Sequence, residues 1–415
     1  MKILVSLPKK GIYLNEGESI DKIFTGDSSS SGTISATVRL ASLLHDHGFT
    51  ICLSSNQEVS CSQFTCLKHN DVEPQEFDWL IVHESHWDGM SLTFGNEFLH
   101  KTFLWLHLYS CFAMVYSFIQ AGGNRVICAS IDCANTFRAV PEWDKKIAVA
   151  YNSYNEIFSP DVAQIETTRK SLIFIGAIRP SKGFPELMKT WSYLAQNQVD
   201  LELKIAGSIR IHDKNASIGP LGIAEENFET NQIKPWLDSL PERYQPRFLG
   251  SLTPKQLQAE INQSWAAIVN PSWYATETFC ISAVEAQACN KTVFSVARGG
   301  LKETIYRENF NSLATDPNPD TLGNLIIQGL SAEKNINENG LLAGEYVRNK
   351  FSNESIKKTW INLLEGKPNE PQIPKHWKTS KDIVCDLLRY SNTSKLYYFY
   401  RSPHDRKILG LQQRR

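Results

Sequence analysis

Short apolar blocks alternate with polar, glycine-containing segments along this chain. The apolar runs at 1–7 and 49–54 have the length of buried strands. Between them, the apolar residues of segment 34–45 recur at the spacing of one helix face, and Gly48 follows the segment. The order strand, loop, helix, strand is typical of a parallel α/β unit, so the first half predicts such a domain.

The second half repeats this alternation. A β-rich run begins at Ser171 and leads into a turn that ends at Gly183. Residues 278–288 are rich in alanine and predict a helix between two strands. The further predicted strands of this half are 201–207, 247–251, 265–272 and 291–296. By contrast, residues 209–246 are polar and poorly periodic, and they predict an inserted surface loop.

Length and composition fit an ordinary globular protein. A chain of 415 residues predicts two or three domains, and 42% of the residues are hydrophobic and 21% charged. The formal net charge of -1 creates no overall field for nucleic acid, so we expect no nucleic-acid partner. No apolar run reaches the length of a spanning helix, and the first residues lack the apolar core of a signal peptide.

The cysteines and histidines do not predict a metal site. Nine cysteines are scattered without a Cys-x-x-Cys pair, which fits buried thiols in a reducing cytoplasm. Two closer pairs lack the second pair or nearby histidine that a zinc site needs: Cys61/Cys66 and Cys128/Cys133. The run His45-Asp46-His47 ends a predicted helix, where cationic side chains suit the helix dipole. We therefore expect a cytoplasmic protein without metal or other cofactor.

Two glutamates, Glu277 and Glu285, are separated by seven residues. If Glu277 opens the predicted helix, the two side chains point about 80° apart and lie roughly 12 Å apart along its axis. That separation is too large for one shared proton or metal, and it suits the two ends of an extended ligand. A helix N-terminus favours a diphosphate, and carboxylates bind sugar hydroxyls, so a nucleotide sugar fits both. Alternatively, Glu277 only complements the helix dipole and Glu285 lies on a solvated face.

The residues around these glutamates carry a resemblance to a known family. The segment E-T-F-C-I-S-A-V-E-A-Q-A-C-N-K-T-V, followed by G-G-L-K-E, resembles the donor-site signature of retaining glycosyltransferases with the GT-B fold, the large "group 1" family. The family pattern is E-x-F-G-x-x-x-x-E-A-x-A-x-G-x-P-V, then G-G-x-x-E. The matching residues are Glu277, Phe279, Glu285, Ala286, Ala288, Val293, Gly299, Gly300 and Glu303.

Three positions depart from this pattern. Cys280 and Asn290 replace glycines, and Thr292 replaces a proline. Asparagine tolerates the left-handed backbone that a glycine supplies after a helix, so we expect Asn290 to adopt it. Cys280 is the more serious change, because the family's glycine lets the backbone approach the phosphates. Its side chain is small, and we expect it to be tolerated.

A second match lies upstream. The stretch S-L-I-F-I-G-A-I-R-P-S-K-G resembles the family's G-R-x-x-x-x-K-G loop, with Gly176 on its glycine and Lys182 on its phosphate-binding lysine. Ala177 replaces the family's arginine, and Arg179 lies two residues later. The alternative is a turn with two solvated basic side chains.

The first half resembles the family more weakly. The strand-like run L-W-L-H-L ends near His107, which the resemblance places beside the transferred sugar. Gly32 follows a serine-rich loop that would face the donor across a cleft, and Asn152 leads the loop at the end of this half. Without the resemblance, a histidine in an apolar run is more often a core residue.

The resemblance implies an α/β protein of GT-B type, with two Rossmann-like domains that face one cleft. The acceptor-side domain would span 1–165 and the donor-binding domain 166–350. Residues 351–415 would form a helix that returns to the first domain, and then a basic, aromatic tail. This tail either packs against the first domain or contacts an anionic membrane at the inner face.

The implied reaction is transfer of a sugar from a nucleotide-diphosphate sugar to an acceptor, with retained configuration and without a metal. The acceptor would be a glycan or lipid-linked, in polysaccharide, lipopolysaccharide or glycolipid assembly. Glu277 would hold the sugar's hydroxyls and Glu285 the ribose, while Lys182 and Arg179 neutralise the leaving diphosphate. The remaining residues implied for donor binding are Gly32, Gly176, Thr278, Phe279, Cys280 and Ile281.

Two alternatives keep the fold and change the function. The chain is then a nucleotide-sugar binding protein without catalysis, which Ala177 and Cys280 favour, or a nucleotide-sugar epimerase.

Overall fold

A computed structural model gives the structure of the chain. It describes residues 1–9, 14, 16–110, 112–138, 141–161, 169–208 and 217–367, and also residues 371, 377, 383 and 387. Within these residues, the main elements are two parallel β-sheets with helices packed around them. The predicted α/β class is confirmed.

The first half contains a seven-stranded parallel sheet in the order β5-β3-β1-β6-β7-β8-β9. A separate two-stranded pairing joins β2 and β4. The strands are β1 (Lys2–Ser6), β2 (Glu18–Ser19), β3 (Thr50–Ser55), β4 (Val59–Ser60), β5 (Thr65–Lys68), β6 (Trp79–His83), β7 (Thr102–Leu106), β8 (Arg125–Cys128) and β9 (Ile147–Val149). The helices are α1 (Asp21–Phe24), α2 (Gly32–Asp46), α3 (Phe112–Gln120) and α4 (Ile131–Arg138).

The second half contains a six-stranded parallel sheet in the order β12-β11-β10-β13-β14-β15. Its strands are β10 (Ser171–Ile175), β11 (Glu202–Ala206), β12 (Arg247–Gly250), β13 (Ala266–Ile268), β14 (Val293–Val296) and β15 (Leu313–Ala314). The helices are α5 (Phe184–Gln196), α6 (Glu226–Phe228), α7 (Lys234–Ser239), α8 (Pro254–Asn262), α9 (Ile281–Ala288), α10 (Leu301–Thr304), α11 (Pro319–Ser331), α12 (Glu333–Phe351) and α13 (Asn353–Leu364).

In both sheets the order in which the chain adds strands reverses at a central strand, and the site lies beside these two strands. In the first sheet β1 lies between β3 and β6, and in the second β10 lies between β11 and β13. The chain leaves such strands to opposite sides of the sheet, which opens a crevice at their carboxyl ends. Ligand-binding residues are therefore expected after β1, β6, β7, β10 and β13.

The amphipathic helix predicted over 34–45 is α2. It begins at Gly32, and the Ser31 hydroxyl accepts a hydrogen bond from Ile34 N at 3.3 Å. It ends where Gly48 adopts a left-handed φ of 98°. Its apolar face packs on the first sheet, because Ile34, Val38 and Ala41 are buried.

The prediction that residues 209–246 form a surface loop is wrong for the part that is described, 217–246. This part contains α6, a π-helical turn over Glu229–Ile233, and α7. The buried Glu229 carboxylate accepts backbone hydrogen bonds from Ile223 and Ala224, at 2.7 and 2.9 Å. Such short helices, held by one buried carboxylate, leave no long apolar period in the sequence.

The chain after residue 351 returns to the first half through α13, which packs against α2. Trp360 is fully buried there, with its ring 5.0 Å from that of Trp105. Farther on, Trp377 is buried against the second half, and the Arg307 guanidinium lies 4.9 Å from its ring.

The aromatic, basic stretch 396–401 lies outside the described residues. In the part of the chain that is described, none of the helices is long and apolar enough to cross a membrane. The domain boundaries at 165 and 350 stay predictions.

Candidate active site

A cavity of about 810 Å³ lies between the carboxyl ends of the two sheets. Its wall includes every residue that the sequence singles out for catalysis or donor binding. From the second half these are Gly176, Arg179, Lys182, Glu277, Thr278, Phe279, Cys280, Ile281 and Glu285, and from the first half Gly32 and His107. The fold thus gathers residues that are far apart in the chain, while their individual roles stay predictions.

Lys182 and Glu277 form an ion pair inside this cleft. Lys182 Nζ donates to Glu277 Oε1 at 2.6 Å, and the Asn270 amide donates to the same oxygen at 2.7 Å. Burial by itself would lower the pKa of Lys182, but the Glu277 carboxylate more than offsets this effect, so the pKa of Lys182 is raised. The lysine therefore stays charged and can bind an anion.

A close backbone approach brings these residues together. Gly183, directly after Lys182, has a left-handed φ of 74°, and a Cβ there would lie 2.6 Å from Ser272 N and 2.7 Å from Pro271 N. Only glycine combines that conformation with that contact. The lysine loop can thus lie against the Asn-Pro turn that follows β13.

Helix α9 begins at Ile281, not at Thr278 as predicted, so Glu277 does not open it. Glu277 O accepts a hydrogen bond from Gly300 N at 2.8 Å, and the Thr278 hydroxyl donates to His107 O across the cleft. These tertiary bonds keep both residues out of the helix. The geometry expected for two glutamates on one helix therefore does not apply. The alternative in which Glu277 only complements the helix dipole is also wrong, because its carboxylate binds Lys182 and Asn270.

Glu285, in the second turn of α9, is partly buried and faces the cleft. Burial raises its pKa to about 7, and the charge of Arg39 on α2 opposes that rise. Arg39 is itself buried, which lowers its pKa to about 10, and it donates to Ser153 O at 2.8 Å. Arg39 cannot be recognised as a site residue from the sequence, because a single arginine on the apolar face of a helix follows no characteristic spacing.

His107 directly follows β7. Its backbone N–H donates to Glu84 Oε2 and that of Leu108 to Glu84 Oε1, both at 3.0 Å. Its ring stacks on His83 with centroids 5.4 Å apart. Burial lowers the pKa of His107 to about 3, so the imidazole is neutral, and its Nε2 has no hydrogen-bond partner within the described residues. A neutral ring nitrogen with unused capacity suits a ligand hydroxyl better than proton transfer.

Glu84 and His83 were also missed from the sequence. His83 Nδ1 accepts from Ser85 N at 3.0 Å, and its Nε2 lies 3.3 Å from Glu84 Oε2. Burial raises the pKa of Glu84 to about 7. Glu84 thus holds the turn that carries His107, and His83 supports Glu84.

The N-termini of α2 and α9 meet at the cleft. A Cβ on Gly32 would lie 3.1 Å from Ile281 Cγ2, so the first residues of the two helices are almost in contact. Helix N-termini present free N–H groups and partial positive charge. The cleft therefore offers two such ends, with Lys182 on its wall, to a phosphate group.

The structure explains how two of the family's glycine positions accommodate other residues in this chain. Asn290 has a left-handed φ of 58°, which confirms the expectation for that position. Cys280 has an extended φ of −95°, so its backbone does not need glycine. Burial raises the pKa of the Cys280 thiol to about 12, so it adds no charge to the cleft.

Comparison with known proteins supports the same architecture. Residues 156–341 match the family model of group 1 glycosyl transferases. Sucrose-phosphate synthase from Thermosynechococcus elongatus is 15% identical, with a TM-score of 0.63 over 88% of this chain and 98% of its own. HepE from Anabaena is 14% identical, with a TM-score of 0.62 over 88% of this chain and 100% of its own. A glycosyltransferase from Rickettsia africae is 16% identical, with a TM-score of 0.63 over 88% and 97%.

The chain has the GT-B fold. No curated protein sequence matches it significantly.

In this GT-B fold, the matched Glu303 lies outside the cleft wall, at the junction of the two halves. Its buried carboxylate accepts hydrogen bonds from Ile131 N and Asp132 N, at 2.8 and 2.7 Å, and from the Tyr151 hydroxyl at 2.9 Å. The neighbouring Lys302 pairs with Asp132 at 2.9 Å. Burial raises the pKa of Glu303 to about 7. Glu303 therefore bridges the halves by binding the first N–H groups of α4.

Among the described residues of this GT-B fold, no three histidine, cysteine, aspartate or glutamate side chains cluster closely enough to hold a metal ion.

Proposed function

We propose that this protein is a retaining glycosyltransferase, which transfers a sugar from a nucleotide-diphosphate sugar to a glycan or lipid-linked acceptor without a metal ion. The observation that carries the proposal is the charged arrangement in the cleft. Lys182 and the N-termini of α2 and α9 supply positive charge, while Glu277 and Glu285 supply acceptors for hydroxyl groups. A ligand with a diphosphate between two hydroxyl-bearing ends uses all of these groups.

The chemistry follows from charge. As the bond between the anomeric carbon and the diphosphate oxygen breaks, negative charge grows on the leaving diphosphate. Lys182 and the helix N–H groups stabilise that charge, and Arg179 on the same wall adds to the field. Preorganised positive groups of this kind take the role that a metal ion has in other sites.

The acceptor oxygen bonds to the same face of the anomeric carbon that the diphosphate leaves, so configuration is retained. The acceptor's proton passes to the departing phosphate oxygen, and no side chain is needed as general base. This fits His107, whose pKa near 3 leaves it a neutral hydrogen-bonding partner of the sugar. Glu277 holds the sugar hydroxyls, and Glu285 holds the ribose.

Structures of the same fold support the choice of ligands to test. HepE has been solved with UDP, with UDP-glucose, and with UDP and glucose. A TarM variant, with a TM-score of 0.51, has been solved with UDP, fondaparinux and α-GlcNAc-glycerol. Uridine donors and glycan acceptors are therefore the first candidates for this chain. A role in polysaccharide, lipopolysaccharide or glycolipid assembly, a cytoplasmic location and membrane contact of the tail all remain predictions.

The test has two stages. First, melting is measured with UDP, GDP and ADP and their glucose and mannose derivatives, each with EDTA and with magnesium. We expect one nucleotide sugar to raise the melting temperature equally in both. Second, that donor is incubated with glycan and polyprenyl-phosphate acceptors in EDTA, and the anomeric configuration of the product is determined by NMR.

Three outcomes would contradict the proposal in different ways. Turnover that is lost in EDTA and restored by magnesium would overturn the metal-free chemistry. Donor binding with neither transfer nor hydrolysis would favour a binding protein, and conversion of the donor into another nucleotide sugar would favour an epimerase.

A further inference from the structure

Asn270 is one of two residues that donate a hydrogen bond to the Glu277 carboxylate. It lies two residues after β13, only 4% exposed, in the wall of the cleft. Its Nδ2 donates to Glu277 Oε1 at 2.7 Å, and its Oδ1 accepts from Ser272 N at 3.2 Å. A backbone N–H can only donate, so Oδ1 must face Ser272. The Nδ2 amino group must then face Glu277, so Asn270 is the donor and Glu277 the acceptor in this hydrogen bond.

Both donors bind the same oxygen of Glu277. Lys182 Nζ lies 2.6 Å from Oε1 and Asn270 Nδ2 lies 2.7 Å from it. Among the described residues, no hydrogen bond reaches Oε2, and the Glu277 side chain is 15% exposed. Two donors at Oε1 restrict rotation of the carboxylate, which leaves Oε2 available to a ligand.

The backbone at Asn270 suits asparagine in particular. Its φ of 24° is left-handed, a conformation that asparagine tolerates better than most residues. Ser295 Oγ donates to Asn270 O at 3.1 Å, and the Gly183 backbone packs on the next two residues. Aspartate would satisfy the same turn but would place a second carboxylate against Glu277. A neutral donor is therefore what this position requires.

We infer that Asn270 is a positioning residue, which fixes the Glu277 carboxylate so that Oε2 faces the cleft and accepts a hydroxyl of the transferred sugar. The identity of that ligand rests on the proposed function. Without Asn270, Glu277 is free to turn both oxygens onto Lys182. The lysine would then be more fully neutralised, and the sugar would lose its acceptor.

The first test separates positioning from binding. Asn270→Ala should lower the rate of UDP release from UDP-glucose about tenfold or more, because a misplaced group costs rate more than affinity. Affinity for UDP alone, measured by calorimetry, should change less than about threefold. If the screen above selects a GDP or ADP sugar, the corresponding pair is used. The control is Ser272→Ala, which removes the hydroxyl bonds to Tyr274 N and Ala275 N but leaves the Asn270–Glu277 bond in place.

The second test needs no substrate. In Asn270→Asp two carboxyls meet at Glu277 Oε1, with Lys182, Arg179 and Cys280 as the other ionisable groups nearby. Repulsion between the two carboxylates raises the folded-state pKa of this carboxyl pair above its value in the unfolded chain. Stability is then present at low pH and lost as the pH rises through the raised pKa. We expect Asn270→Asp to melt progressively lower than Asn270→Ala as the pH rises, and the double variant Asn270→Asp/Glu277→Gln to lose this trend.

The outcomes distinguish the two proposals. Parallel pH curves for Asn270→Asp and Asn270→Ala would overturn the inferred contact. Turnover by Asn270→Ala within about twofold of wild type, or an equal loss in Ser272→Ala, would overturn the positioning role. If wild type binds no nucleotide sugar while the pH trend is present, the proposed function fails and the Asn270–Glu277 contact stands.

Discussion

Replacing Glu303 by alanine should separate the two halves of the molecule. The carboxylate accepts three hydrogen bonds from the first half, from Ile131 N, Asp132 N and the Tyr151 hydroxyl. In Glu303→Ala, all three buried donors lose their partner. A buried donor left unpaired costs about 1–3 kcal/mol, so we expect a loss of at least about 3 kcal/mol in the free energy of unfolding.

A matched variant calibrates this number. Tyr151→Phe removes one of the three donors and leaves the carboxylate with two backbone partners. Its cost should be about 1 kcal/mol, the ordinary net value of one hydrogen bond. Both variants are measured by urea unfolding below pH 7, because burial raises the pKa of Glu303 to about 7 and the ionised carboxylate above that pH costs folding free energy, a cost that the alanine variant does not have.

The junction is also coupled to the cleft. Glu303 lies in α10, whose preceding Gly300 N donates to Glu277 O at 2.8 Å. In Glu303→Ala we expect water to enter the junction and bind the unpaired donors, so that the two halves move apart. Small-angle scattering would detect this as a larger radius of gyration. Donor turnover should then fall together with stability. If Glu303→Ala unfolds within about 0.5 kcal/mol of wild type, the three bonds do not hold the junction and the reasoning fails.

Three further predictions concern the cleft. Lys182→Ala and Glu285→Ala should each weaken binding of the nucleoside diphosphate by about 1.5–3 kcal/mol, through loss of a charge-assisted contact; unchanged affinity in calorimetry for both would contradict the assignment. Glu277→Ala should abolish transfer and leave nucleoside diphosphate binding equal or tighter, because Lys182 loses its competing partner; retained transfer would contradict its role. Burial raises the pKa of Glu84 to about 7 from 4.5, so its contribution to stability is present below pH 4.5 and lost as the pH rises through 7. Melting of Glu84→Gln should therefore depend less on pH over that range, and an unaltered dependence would argue against a protonated Glu84.

Local sequence patterns were sufficient for the α/β class and for some of the residues that line the cleft. Strands and the amphipathic helix α2 follow from short-range periodicity, which depends on neighbouring residues alone. Lys182, Glu277, Glu285 and His107 lie in stretches whose order resembles a family signature. Asn290 likewise adopts the left-handed backbone expected from its place after a helix. Each of these features is encoded within a few consecutive residues.

The partners of those residues were decided by the tertiary structure. Arg39, Glu84 and Asn270 face the cleft or its key side chains because distant segments meet there, and nothing in their own neighbourhoods marks them. Helix α9 begins three residues later than local propensity suggests, since the backbone at Glu277 and the hydroxyl of Thr278 bond to Gly300 and His107. The sequence by itself thus determined which elements form and which side chains carry charge. Which groups are buried together, and hence their pKa values and orientation, depended on contacts between residues far apart in the chain.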